Sequence, residues 1–461
     1  MVARQNRHLR PAWFVWALAL AAVAIPATVT TAQRRPSPFA IESREKSGLY
    51  SLGQEVTFTV KQAGTSEAIS MDEANVTITR DGWEKVAPPK TRRNGDVLEV
   101  RFTPAAPGWY MCEASFGNDN RGAARAGVLV SPEKITASMA EPKDLDEFWN
   151  TRRATLAAMP LKAELVPVDS REPQIECFSL EAPCPQTNPV RGYYARPKGA
   201  GARTCPAILF LRAAGVAGDW CKASPRNAVS LAKQYGAIVV DINAHGMLNG
   251  QPPEYYRDLE QGELRNYWTQ GADDRDKFYF VGMYVRLLRA TEFIAAQEAW
   301  DGTHLVTIGE SQGGGQALAA AGLDKRVSAV VALVPAMCDF AGPVVKRLGG
   351  WPMPIGRDVQ SEGAKKIIEA VRYCDNANLA VRSRAETLIF VGLIDTTCSP
   401  TGILATYNKL PGSKRIIAYP HKLHNGLPKE DLWIGDIPVL QEQFIRHHIG
   451  REDNATTGAS K

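Results

Sequence analysis

Three short stretches hold residues that could do chemistry together. The first is Gly309-Glu310-Ser311-Gln312-Gly313-Gly314-Gly315. The second is Asp395, directly after the apolar run Leu388 to Ile394. The third is His424, in the turn His424-Asn425-Gly426. A serine hydroxyl is a weak nucleophile until a base takes its proton. The base in turn needs an acid that fixes its tautomer and stabilises the imidazolium. Serine, aspartate and histidine in this chain order, each after a strand, can fill the three roles.

The residues around Ser311 fit a nucleophile. An apolar, β-branched run, Leu305-Val306-Thr307-Ile308, precedes it, and the alanine-rich run Ala317 to Ala321 follows it. A serine on so tight a strand-to-helix turn has a strained backbone and needs small neighbours, which Gly309 and Gly313 supply. The helix start offers unpaired N–H groups to developing negative charge.

The base is selected from seven histidines. His8 lies in the N-terminal stretch, His447 and His448 on a predicted terminal helix, and His304 at the wrong end of the serine strand. His245 comes before the serine. His421 and His424 remain, and His424 in its Asn/Gly turn is the better exposed. Asp395 could instead cap the helix expected near Pro400; its place at a strand end favours the acid. An oxyanion needs two preorganised donors. Gln312 N–H is the first, and Gly215 or Val216, after the strand Ala207 to Leu211, the second.

The elements that must position these groups follow from the pattern of the chain. From Ala207 to Tyr419, apolar β-branched runs alternate with helical periodicity, including Phe278 to Ala299. This predicts a mostly parallel sheet covered by helices, the α/β-hydrolase arrangement. An amphipathic stretch from Asp144 to Met159 opens the unit, which is expected to span 141–450. Before it, 47–131 reads as short alternating strands with Asp81-Gly82, Asn94-Gly95 and Pro107-Gly108 turns, a small β-sandwich. Tyr110, two residues before Cys112, resembles the tyrosine corner of immunoglobulin-like domains. The sandwich reads either as a carbohydrate-binding or positioning module or as a structural spacer or packing partner. Residues 33–46 read as a linker and 451–461 as a disordered tail.

The N-terminal 1–32 read as a secretory signal peptide: Arg4, Arg7 and Arg10, then an apolar run from Trp13 to Ile25, then small residues. An uncleaved anchor is the alternative, but the run is short for a span. The expectation is a periplasmic or secreted protein without stable membrane insertion. The formal net charge of +5 includes those three arginines, which leaves too little positive charge for nucleic-acid binding. No spacing among the eight cysteines suggests zinc. Cys177 with Cys184 and Cys205 with Cys221 could pair in an oxidising compartment, or remain buried thiols.

With these residues in place, the chain resembles the acetyl xylan esterase and cephalosporin C deacetylase family, carbohydrate esterase family seven. The resemblance rests on Gly309-Glu310-Ser311-Gln312-Gly313-Gly314, Asp395-Thr396-Thr397-Cys398-Ser399-Pro400, His424 and the entry Asp146-Glu147-Phe148-Trp149. It covers about Pro142 to His448. It implies deacetylation of acetylated sugars through an acyl-serine intermediate, with no metal or other cofactor. The oligomeric state stays open. The chain departs from the family in three places. Asn243-Ala244-His245-Gly246 stands where the family has Arg-Gly-Gln, Asn425 stands where it often has glutamate, and the N-terminal β-domain is an addition.

His245 could bind a sugar hydroxyl or be a hydrogen-bonded loop histidine. The insertion from Gly246 to Arg275 carries Tyr255, Tyr256, Tyr267 and Trp268 among charged residues, which suits stacking on sugar rings or simple loop packing. Tyr255, Tyr256 and Trp268 join His245 as candidate substrate contacts. Two other readings of the whole chain are a serine peptidase of the same fold and a non-catalytic carbohydrate-binding protein.

Overall fold

The computed structural model describes residues 37, 39–63, 74–116 and 119–451. The expected signal peptide, and the tail beyond Arg451, lie outside them. Nine strands come first among the described residues: β1 (Phe39–Ser43), β2 (Leu49–Tyr50), β3 (Val56–Gln62), β4 (Ala74–Arg80), β5 (Glu84–Lys85), β6 (Lys90–Asn94), β7 (Val97–Phe102), β8 (Gly108–Phe116) and β9 (Asp119–Val130). They form two sheets, ordered β1-β3-β7-β6 and β2-β9-β8-β4-β5. Alternate residues point inward, so Val56, Phe58 and Val60 are fully buried against Cys112, Ala126 and Val128. The Tyr110 hydroxyl donates to the Ala106 carbonyl at 2.8 Å, closing the tyrosine corner. The expected linker needs correction. Phe39–Ser43 inside it is β1, paired antiparallel with β3, because Phe39, Ile41 and Ser43 alternate inward. Likewise Arg451, assigned to the tail, donates to the Tyr235 carbonyl.

A second unit follows, opened by α1 (Leu145–Ala158), then β10 (Glu164–Val168), β11 (Ile175–Ala182), β12 (Val190–Pro197), β13 (Cys205–Leu211), α2 (Pro225–Tyr235), β14 (Ile238–Ile242), α3 (Pro253–Gln261) and α4 (Tyr279–Ala295). It continues with β15 (Trp300–Glu310), α5 (Gln312–Leu323), β16 (Ala329–Leu333), α6 (Glu362–Val371), α7 (Asn376–Leu379), β17 (Glu386–Gly392), α8 (Pro400–Lys409), β18 (Lys414–Tyr419) and α9 (Ile437–His448). The sheet order is β10-β11-β12-β14-β13-β15-β16-β17-β18. β10, β11, β12 and β14 pair antiparallel, and every pairing from β14 to β18 is parallel. This is the α/β-hydrolase fold. The parallel strands are apolar on both faces, as strands sandwiched between helix layers must be. Their carboxyl ends share one edge, so the loops after β13, β15, β17 and β18 converge there.

All eight cysteines are buried free thiols. The pairing of Cys177 with Cys184 fails on geometry. Cys177 lies within β11 and Cys184 two residues past its end at Ala182; the five strand steps from Cys177 to Ala182 alone span roughly 16 Å, which carries the chain away from disulfide reach.

One buried ion pair ties β13 to β14. Arg212 donates Nε to Asp241 Oδ1 at 2.8 Å and a terminal nitrogen to Oδ2. Asp241 is fully buried and also accepts from Asn227 Nδ2 at 2.9 Å. Removing one partner of such a pair leaves a buried, uncompensated charge. Arg212→Met is expected to lower the unfolding free energy by about 3–5 kcal/mol, measured by denaturant titration. Asp241→Asn in the same background should recover most of the loss.

Candidate active site

Ser311 caps α5 with φ 57° and ψ −119°, a conformation that a side-chain-bearing residue holds only under constraint. The constraint is visible in its neighbours. A Cβ on Gly309 would stand 2.3 Å from the Gly313 carbonyl carbon, and one on Gly313 would stand 2.2 Å from the Leu211 oxygen. No other residue type fits either position. Ser311 N–H donates to the Leu333 carbonyl and Ala336 N–H to the Ser311 carbonyl, both at 2.9 Å. β16 and the turn after it therefore hold the turn from outside.

Ser311, Asp395 and His424 come together as the sequence predicted. His424 Nε2 lies 2.9 Å from Ser311 Oγ, and His424 Nδ1 lies 2.8 Å from Asp395 Oδ2. Asp395 is 1% exposed, and its other oxygen accepts from the N–H groups of Thr397 (2.8 Å) and Cys398 (3.0 Å). One carboxylate oxygen is thus fixed by the backbone and the other aims at the ring, which sets the imidazole with Nδ1–H toward aspartate and Nε2 toward serine. This arrangement can pass a proton from the serine hydroxyl to the ring.

Gln312 is the first residue of α5 and fully buried, so its N–H has no helical acceptor. Its side-chain Oε1 accepts from the Tyr267 hydroxyl at 2.5 Å. The Gly215 carbonyl faces His245 Nε2 at 2.9 Å. The Gly215 peptide also reaches Tyr267, whose phenol burial pushes well above its usual pKa. Gly215 therefore anchors its loop. The buried Val216 beside it has no protein acceptor for its N–H among the described residues, as do Ala213 and Ala214.

His245 needs correction as a substrate contact. It is 1% exposed, and Tyr279 Oη (2.8 Å) and the Gly215 carbonyl (2.9 Å) occupy its two nitrogens. Burial, then the charge of Arg286, lower its pKa to about 3, against the pull of the Gly215 carbonyl. It is a neutral structural ring.

Tyr256 is also corrected. It is 4% exposed and donates to the Leu248 carbonyl at 2.8 Å. Tyr255 packs edge-on against Tyr256 and lines a cavity of about 240 Å³ that none of Ser311, Asp395 and His424 lines. Trp268 packs on Trp351 at 6.2 Å, whose backbone reaches Cys398, and the Cys398 thiol in turn reaches Ser311.

Two residues hold roles that their sequence neighbourhood does not announce. In the sequence Tyr267 is only one of the insertion's aromatics. Lys422, 2% exposed, donates Nζ to the carbonyls of Leu423 (3.1 Å) and His424 (2.9 Å), so a buried ammonium pins the histidine loop. Burial lowers its pKa, against Glu310, Asp395 and Asp431. No local signal distinguishes this lysine from a surface one. Ligand atoms of Asp395, Cys398 and His424 lie within 4.8 Å of one another. Two of these residues already form the relay, so a metal there would compete with the Asp395–His424 bond.

A family model described as acetyl xylan esterase matches residues 133–431. An acetyl esterase of Xylanibacter ruminicola, Axe7A, is 28% identical over 337 residues, 72% of this chain and 74% of that protein. The solved acetyl xylan esterase from Paenibacillus sp. R4 is 26% identical, covering 69% of this chain and 98% of its own, with a TM-score of 0.56. Acetyl xylan esterase 1 from Thermoanaerobacterium sp. JW/SL YS485 is 23% identical, with coverage of 69% and 97% and a TM-score of 0.56, a likeness of fold.

The neutral His245 has a consequence for stability. An unfolded histidine takes up its proton below about pH 6.5, whereas the folded ring holds off until about 3. The unfolded state therefore binds more protons in that window, and stability falls as pH drops from about 6.5 toward 3, by about 1.4 kcal/mol per pH unit at most. His245→Gln should make the fall shallower between pH 6.5 and 5, read as melting temperature against pH beside the wild type.

Proposed function

The chain belongs to the acetyl xylan esterase family, and from that premise we propose that it is a serine esterase removing acetyl groups from an acetylated carbohydrate. The observation that carries the reading is the relay itself: Ser311 on a strained elbow, 2.9 Å from His424, with Asp395 2.8 Å behind.

Ser311 Oγ attacks the acetyl carbonyl carbon as its proton passes to His424 Nε2. Asp395 stabilises the imidazolium through Nδ1–H. Negative charge on the carbonyl oxygen meets the Gln312 N–H and a second N–H from the loop after β13, with Val216 as the assigned donor. The tetrahedral species collapses. The C–O bond to the sugar breaks, and His424 returns its proton to the leaving oxygen. Water then attacks the acetyl-serine carbonyl, giving a proton to His424; the bond to Ser311 Oγ breaks, His424 returns that proton to Oγ, and acetic acid leaves. One ester and one water become one alcohol and one acetic acid, with no redox step or metal.

Trp268 and Trp351, half-buried and packed on each other, are the aromatic surfaces offered to the sugar. The basic start, apolar run and small residues within 1–32 support export to the periplasm or beyond. Sequencing the N-terminus of the protein recovered outside the cytoplasm tests this, and an intact leader there would refute it.

The function is tested by acetate release from small acetyl esters and acetylated oligosaccharides. Ser311→Ala should lose about 10⁵- to 10⁶-fold in kcat, and Asp395→Asn about 10⁴-fold. Ser311-dependent cleavage of peptides without acetate release would replace the esterase with a peptidase. Saccharide binding without turnover would leave a binding protein.

A further inference from the structure

The sandwich meets the hydrolase unit on the outer side of the two loops that carry Asp395 and His424. Trp109, on β8 and fully buried, donates its indole N–H to the Leu393 carbonyl at 2.7 Å. Leu393 lies two residues before Asp395. On β9, the Gly127 N–H donates to the Pro420 carbonyl at 2.9 Å. A Cβ at Gly127 would stand 1.8 Å from the Leu393 oxygen, so only glycine lets the sandwich backbone come this close. On β1, the Ile41 carbonyl accepts from His421 Nε2 at 2.9 Å, three residues before His424. At the head of α8, behind the acid loop, the Thr401 hydroxyl donates to Asp81 Oδ1 at 2.7 Å.

His421 is held from both sides. Its Nδ1 faces Asp431 Oδ1 at 2.8 Å while Nε2 faces Ile41, so both nitrogens donate and the ring is an imidazolium. Burial opposes the charge, but the Asp431 carboxylate and the Ile41 carbonyl outweigh it and raise the pKa. The two loops also hold each other. Ile394 N–H donates to the Lys422 carbonyl at 3.2 Å, and Lys422 Nζ donates to the His424 carbonyl at 2.9 Å. Each loop therefore sits between its partner loop and the sandwich.

We propose that the sandwich is a working part of the catalytic apparatus, in which Trp109, acting through the Leu393 carbonyl, is a positioning residue for Asp395. The inference rests on the catalytic reading of Ser311, Asp395 and His424. A misplacement of about 1 Å in such a constellation can cost about 100-fold in rate, and the Leu393 carbonyl is a short lever on the acid.

The test uses the full chain and a small soluble acetyl ester, too small to reach the sandwich surface. Trp109→Phe keeps a buried ring and deletes the donor. We expect kcat to fall about 10- to 100-fold with KM unchanged. Loosening Asp395 weakens its stabilisation of the imidazolium formed in the reaction, so the acidic limb of the kcat/KM profile should move to lower pH. The downfield proton resonance of His424 Nδ1–H, identified by its loss in His424→Gln, should weaken. Tyr110→Phe removes the sandwich's own bond to Ala106. It should lower melting temperature while kcat and the pH limb stay as in the wild type. If Trp109→Phe does not fold, Thr401→Val decides by the same readouts. Wild-type kcat and pH limb in the deciding variant overturn the proposal, and so does a rise in KM alone, which would make the sandwich a substrate-binding surface. If the wild type shows no Ser311-dependent hydrolysis, the catalytic reading fails instead. The resonance then still tests the geometry, and an unchanged signal overturns the positioning role.

Discussion

The structure depends on keeping Ser311 in a backbone conformation it would not choose. A non-glycine residue at φ 57° and ψ −119° costs of order 1–3 kcal/mol, and it persists only where the surroundings over-determine it. Here they do. Every residue of α5 is buried, and the peptides on both sides of Ser311 are bonded to β16 and to the turn after it. Once the helix is packed so deeply, its first turn must lie against the end of β13. That is why the Gly313 position has room for no side chain beside Leu211. The strain aims the hydroxyl, and the close packing that sustains it brings the loop after β13 within reach of the same spot.

That loop needs its own support, and Asn243-Ala244-His245 supplies it. Asn243 accepts from Ala223 N–H at 2.7 Å and donates to the Met247 carbonyl at 3.1 Å. His245 holds Gly215. Buried Arg286 on α4 donates to the Ala244 carbonyl at 2.7 and 3.0 Å and to Thr187. Tyr267 joins this network to Gln312. Buried polar groups left half-satisfied would be costly, so Asn243, His245, Arg286 and Tyr267 have to be read as one unit. The aromatic insertion proves largely to be the inner wall of that network.

What was legible in the sequence was local. Ser311, Asp395 and His424 each stand next to an apolar run and a turn, so strand, loop and role could be read from a few neighbours. The alternation of β3 and β8 and the tyrosine corner at Tyr110 were equally local. The short strand β1 was hidden because its five residues sit among Arg34, Arg35, Pro36 and Pro38, whose character suggested a linker. The sequence leaves His245 and Tyr256 open between sugar contact and packed loop because exposure is decided by what folds over a residue, and aromatics beside charges look alike in both. Trp109 and Leu393, separated by 284 positions, and Lys422 beneath His424 leave no mark on their own segments.

The sandwich interface also argues against a tethered module. Trp109, Met111 and Leu129 belong to the same hydrophobic cluster as Leu393, Ile394 and Cys398, so the core of the hydrolase unit runs without interruption into β8 and β9. At its edge lies Asp81, 1% exposed. It accepts from Trp109 N–H at 2.9 Å and from Thr401, with Arg80 and Arg347 at 3.5 and 3.6 Å, while its carbonyl accepts from Leu348 N–H. A carboxylate removed from water is tolerated only when such partners surround it. Here Trp109 N–H and Arg80 come from the sandwich, and Thr401 and Arg347 from the hydrolase unit. Separating the two units would strip Asp81 of half its partners and expose a continuous apolar face. Interfaces between independently mobile domains are more polar and carry fewer such obligations. A body bound in this way moves with the loops it touches, and those loops bear the acid and the base.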